Sequence, residues 1–152
     1  MNTEIVTLPD RWIMGTQSRI QPMSADYGTI WAQGFDPHGN EIRPLALDPG
    51  YLGVYYSSGE PGWVDFVAGM VVAEGSQPPE GCIVRALPGG LYGRIPCTMA
   101  TIGSTWGQIY GQWLPASPYV EDQTRPAMEY YPPDALGPDA QVTIYVALSS
   151  RA

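Results

Sequence analysis

The sequence predicts an α+β fold: two tandem β-α-β-β units forming a mainly antiparallel sheet, with a helix on one face of each unit. Three observations carry this. They are an internal match at a fixed offset, a shared order of local signals in the two halves, and a composition suited to one packed domain. Comparing residue n with residue n + 75 brings Gly15, Arg19, Ile20, Ala25, Gly28, Trp31, Gln33, Tyr55 and Tyr56 onto their own kind without a gap. At this composition about one match in fifteen is expected by chance, so nine across residues 15–56 point to a duplicated unit. The expectation is a single domain of two repeats, at about 1–75 and 76–152.

The elements follow in the same order in each half. An extended run comes first, "RWIMGTQSRI" and then "CIVRALPGGLYGRI". A helix follows: residues 101–114 place Trp106, Ile109, Tyr110 and Trp113 at i, i+3, i+4 and i+7, and Tyr27, Ile30 and Trp31 begin the same stripe in the first half. Gly103, Gly107 and Gly111 weaken that helix by roughly 1 kcal/mol each relative to alanine. Their spacing predicts a backbone lying close against a sheet. Two strands close each half, "YLGVYYSS" and "WVDFVAGMVV" around "GEPG", then "AMEYY" and "QVTIYVALS" around "PPDALGPDA". The stretch "AEGSQPPEG" at 73–81 joins the halves.

Composition narrows the function. Of 152 residues, 44 % are hydrophobic and only 14 % charged, which suits a globular chain. The net charge of −8 and the lack of a basic run argue against nucleic acid and favour cations near the surface. The N-terminus lacks a signal-peptide pattern and no window approaches 18 apolar residues, so a soluble cytoplasmic protein without membrane contact is expected. Cys82 and Cys97 have no metal-ligand spacing, and the one histidine, His38 in "DPHGN", reads as an exposed turn residue. No metal, cofactor or His-based triad is expected. Arg19 and Arg94 match between the copies and suggest a shared structural task, capping carbonyls or covering an apolar edge.

A crevice between similar halves is a common ligand site, and in a duplicated scaffold function should show where the copies differ. At the third segment Val54 aligns with Glu129. Strand alternation puts Met128 and Tyr130 on one face and Glu129 with Tyr131 on the other. That face is either the wet one or the wall of an interior cavity. The 5 Trp, 10 Tyr and 2 Phe favour sites with an apolar body and polar edges. Ile30 and Trp31 read as core, whereas Tyr145 is the lone ring on the face of its strand opposite Val142, Ile144, Val146 and Leu148. A carboxylate among aromatic rings describes a receptor for a lipophilic cation. Without one, Glu129 is expected either protonated or beside water.

The segments "GYLGVYY", "FVAGMVV", "LPGGLYGRI", "TWGQIYGQWLPASPY", "AMEYYPPD" and "VTIYVAL" together resemble the GyrI-like small-molecule-binding domains. These are effector-binding modules of AraC-type and MerR-type multidrug-sensing regulators and of stand-alone or integron-associated proteins. The resemblance covers nearly the whole chain and implies a tandem β-α-β-β fold with a ligand groove at its pseudo-two-fold axis, taking amphipathic, often cationic, aromatic compounds. It implies Glu129 as counter-ion, with Tyr27, Trp63 or Phe66, Trp106, Tyr131 and Tyr145 as pocket aromatics. Nothing before residue 10 or after residue 150 would form a helix-turn-helix, so a sensing module without direct nucleic-acid binding is expected. Two other functions stay open. One is a hydrolase of reactive cyclopropane-bearing aromatics, with Glu129 as base, Tyr145 or Tyr131 as hydrogen-bond donor and Asp65 as a possible second acid on the more solvated face. The other is an inhibitor acting on a protein partner through an acidic surface.

Overall fold

The computed structural model describes residues 1–151. In chain order the elements are β1 (Glu4–Leu8), β2 (Arg11–Ile20), a helical segment α1 (27–45), β3 (Tyr51–Ser57), β4 (Val64–Val72), β5 (Ile83–Leu87), β6 (Gly90–Thr98), a helical segment α2 (99–116), β7 (Tyr119–Glu121), β8 (Ala127–Tyr131) and β9 (Gln141–Ser150). Strand, helix, strand, strand thus recurs as β2-α1-β3-β4 and β6-α2-β8-β9. The single run read at "CIVRALPGGLYGRI" is two strands, because Pro88 lacks an amide donor and Gly90 takes a φ of 136°.

All pairings are antiparallel, in the order β1-β6-β9-β8-β3-β4-β2-β5, with β7 added to β9. In that order β1 and β2 stand six steps apart, nearly 30 Å in a flat sheet at roughly 4.8 Å per step. Only Pro9 and Asp10 connect them, a reach of about 11 Å from Leu8 to Arg11. The sheet must therefore curl until its ends meet. The ladders agree: Leu8 faces Gly90 and Arg11 faces Leu87 in one continuous register, so β1-β2 and β5-β6 form a single bent ribbon. At the bend the Gly89 amide donates to Asp10 Oδ1 at 2.7 Å, and a side chain at Gly89 would collide with the Leu8 carbonyl, 2.3 Å from where its Cβ would lie.

Both faces of the sheet are apolar. One carries a core of Ile13, Val54, Tyr56, Val67, Leu87, Tyr92 and Met128. On the other, α1 packs through Phe35 and Ile42 onto Phe66, Ala68 and Met70, and α2 packs through Ile109 and Leu114 onto Ile95, Ile144 and Val146. The central pair β3 and β8 lies between the helices, and a groove opens above it. Each helix contains a wide π turn, at Ile30–Phe35 and Ile109–Trp113. Asp26 caps α1 through the Thr29 amide, and a Thr98–Thr101 capping box starts α2.

Several expectations change here. Cβ atoms at Gly103, Gly107 and Gly111 would meet nothing within 4 Å, so these glycines do not bring α2 close to the sheet. Arg19 and Arg94 bond to acids rather than to carbonyls. Each faces an acid across a ladder, Arg19 Nε donating to Asp65 Oδ1 at 3.0 Å and Arg94 to Glu4. His38 belongs to α1 rather than to an exposed turn, half-buried and 3.9 Å from Glu41. Cys82 and Cys97 are free thiols. Among the described residues no helix is long and apolar enough to cross a membrane.

Candidate functional site

The groove is a cavity of about 1340 Å³. β8 supplies Ala127, Glu129 and Tyr131 to its floor, β3 supplies Tyr51 and Tyr55, and the helices supply Tyr27, Trp31, Phe35, Trp106 and Tyr110. Alternation explains the floor. Met128 and Tyr130 point to the opposite core, so Glu129 and Tyr131 must point to the helices.

Glu129 is 4 % exposed, the one buried acid among the described residues. Three donors converge on it. Tyr131 Oη donates to Oε1 at 2.6 Å, Tyr55 Oη to the same oxygen at 3.1 Å, and Trp106 Nε1 to Oε2 at 2.7 Å. An indole N–H has no acceptor role, so it fixes Oε2 as an acceptor. Burial, and then the Glu129 charge beside them, push the Tyr55 and Tyr131 hydroxyls well above the ordinary phenol range, which keeps them protonated as donors. No arginine, lysine or histidine lies in ion-pair reach of Glu129 among the described residues. Three aromatic side chains thus hold the Glu129 carboxyl group.

Room for that carboxylate comes from the facing strand. Gly53 is directly opposite Glu129, and a Cβ there would lie 2.8 Å from Phe66 Cζ and 3.7 Å from Glu129 Oε1. Around it the rings meet edge to face, Tyr55 with Trp106 at 6.0 Å, Trp31 with Tyr131 at 6.0 Å and Tyr27 with Phe66 at 5.4 Å. Two arginines also line the groove. Arg43 donates to Tyr51 Oη and Asn40, and Arg125 to Asp122 and the carbonyls of Leu91 and Leu148.

Of the residues singled out from sequence, Glu129, Tyr27, Trp63, Trp106 and Tyr131 line this cavity together. Phe66 does not reach it. It is fully buried behind Tyr27 and Tyr55, at 5.4 and 5.0 Å between ring centroids. Tyr145 lies on the other face of the sheet, edge-on to Tyr92 at 6.4 Å. Alternation separated Tyr145 correctly from Val142 and Ile144. With both sheet faces apolar, it could not show which face carries the groove. Asp65 also faces away from Phe66 and is held by Arg19, so it offers the groove no second acid. Trp31, read as core, lines the cavity. Tyr55, Tyr51, Tyr110 and Glu121 were missed, although alternation along "YLGVYY" already sets Tyr51, Gly53 and Tyr55 on one face.

A profile of the Cass2 family, integron-associated effector binding protein, matches residues 4–148. No curated protein sequence matches the chain. Among solved structures, SAV2435 bound to tetraphenylphosphonium superposes with a TM-score of 0.76 at 12 % identity, covering 98 % of this chain and 94 % of that one. An integron cassette protein from the mobile metagenome of Vibrio cholerae gives 0.68 at 18 %, covering 97 % and 95 %. The EcmrR C-terminal domain gives 0.68 at 14 %, covering 99 % and 98 %. These likenesses establish the GyrI-like fold.

Proposed function

The chain belongs to the Cass2 family of integron-associated effector binding proteins, and from that premise we propose that its groove captures amphipathic aromatic cations, with Glu129 as the counter-ion. The observation that carries the reading is a buried carboxylate without an ion-pair partner, ringed by aromatic side chains. A neutral ligand that covered Glu129 would strip its remaining hydration and return nothing. A cation returns a charge partner, and each ring face adds about 0.5–2 kcal/mol. The capture of tetraphenylphosphonium by SAV2435, which shares the fold, supports the same ligand class. We read the chain as one effector-binding domain of two repeats, with the ligand seated where they meet.

The test is calorimetric titration of tetraphenylphosphonium and of neutral triphenylphosphine oxide into the native protein, Glu129→Gln and Tyr145→Phe. Cation-selective binding that falls roughly thirtyfold or more in Glu129→Gln, and is unchanged in Tyr145→Phe, is expected. Equal affinity for cation and neutral analogue, or an unimpaired Glu129→Gln protein, would overturn the counter-ion role.

A further inference from the structure

Glu129 is not the sole acid on the groove wall. Two further acids line the same cavity: Asp36, exposed on α1, and Glu121 at the end of β7, which accepts a hydrogen bond from Tyr110 Oη at 2.6 Å. Tyr110 sits one helical turn after Trp106 on α2, and the two rings stack at 5.8 Å with 12° between their planes. The indole of that stacked pair grips Glu129 at one end, and the phenol grips Glu121 at the other. The result is a stacked aromatic shelf with a carboxylate hydrogen-bonded to each of its two rings, and Gly103 and Gly107 on the same helix add no side chain to the cavity wall beside it.

Neither acid is neutralised. Glu121, like Glu129, has no cationic side chain within ion-pair distance among the described residues, and the two arginines of the groove are occupied elsewhere, Arg125 by Asp122 and Arg43 by Tyr51. Burial, and the hydrogen bond to Glu121, push the Tyr110 hydroxyl upward, so it stays a donor.

We infer that the groove has two cation poles, Glu129 and Glu121, joined by the Trp106–Tyr110 shelf, and that its preferred ligands are elongated molecules with a positive centre at each end. This rests on the reading of Glu129 as a counter-ion and adds the ligand class. The outer pole is partly exposed, so it contributes a modest gain, roughly fivefold in affinity, and one that salt weakens.

Alkyltrimethylammonium ions and alkane-α,ω-bis(trimethylammonium) ions of matched, graded chain length test it by competition against a bound fluorescent cation. At one favoured length the bis-cation should bind roughly fivefold more tightly than its single-headed partner. That gain, read as the ratio of the two affinities within each protein, should vanish in Glu121→Gln, fade with added salt, and persist in Tyr145→Phe, whose ring lies on the far face of the sheet. No gain at any length, or a gain that survives Glu121→Gln, overturns the second pole and leaves Glu129 in place. If neither ion displaces the fluorescent cation the second pole alone falls, and if Glu129→Gln binds that fluorescent cation as the native protein does both readings fall.

Discussion

Replacing Gly107 by alanine separates what α2 needs for folding from what the groove needs for ligands. A glycine inside a helix costs about 1 kcal/mol relative to alanine, and an added Cβ at Gly107 would meet no atom within 4 Å. The full propensity gain should therefore appear as stability, a rise of about 3 °C in Tm for a chain of this size. The methyl group, however, projects into the cavity beside the Trp106 shelf. A ligand lying across that shelf must shift or lose contact, and overpacking of one methyl costs roughly 1–3 kcal/mol, near tenfold in affinity. Gly111 provides the control, since it too meets nothing within 4 Å but lies off the cavity. Thermal melts with and without tetraphenylphosphonium read both effects. Gly111→Ala should melt higher with unchanged affinity, and Gly107→Ala should melt higher with weaker binding. A drop in Tm for Gly107→Ala would mean that the helix does rest on the sheet at that glycine.

Two further outcomes follow from the floor of the groove. Gly53→Ala drives a methyl to 2.8 Å from Phe66 Cζ in a fully buried setting, so a loss of roughly 1–3 kcal/mol is expected; a denaturant midpoint equal to that of the native protein would show that Phe66 yields freely. Tyr55 and Tyr131 have folded-state values raised from the ordinary 10.0. The unfolded chain therefore releases their protons first, so their contribution to stability is intact below about pH 10 and is lost as pH climbs past it. Absorbance at alkaline pH should show a group of tyrosines, Tyr55 and Tyr131 among them, that ionise only as the protein unfolds. Complete ionisation near pH 10 with the fold intact would contradict the burial argument.

Much of this architecture was legible in the chain. The strand-helix-strand-strand order and the residues of the second helix follow from periodicity, because each element buries one stripe. The curl was not. It follows from two-residue connections between strands that lie at opposite ends of the sheet, and strand order is a long-range property that local pattern does not carry. The site was legible where alternation sufficed, as for Glu129 and Tyr131, and illegible where it required knowing which apolar face the helices cover, as for Tyr145. Trp31 was misread for a related reason. The stripe that packs a helix onto a sheet continues smoothly into the stripe that borders the groove, and both are aromatic.

The gapless offset of 75 also needs revision at its most informative point. An odd shift exchanges strand faces between β3 and β8, so it sets Val54, which points into the far core, against Glu129, which points into the groove. The groove-side residue facing Glu129 is Gly53. This pairing accounts for the asymmetry physically. Where β3 and β8 pair, residues from the two halves lie directly opposite each other, and two acids in that position would repel across the ladder. A charge at the centre of the groove must then come from one half alone, and the other half must yield space rather than match it. Phe66 leaves room for no side chain at position 53. Glycine on one strand and glutamate on the other are two parts of one requirement, a single carboxylate where β3 and β8 pair at the floor of the groove.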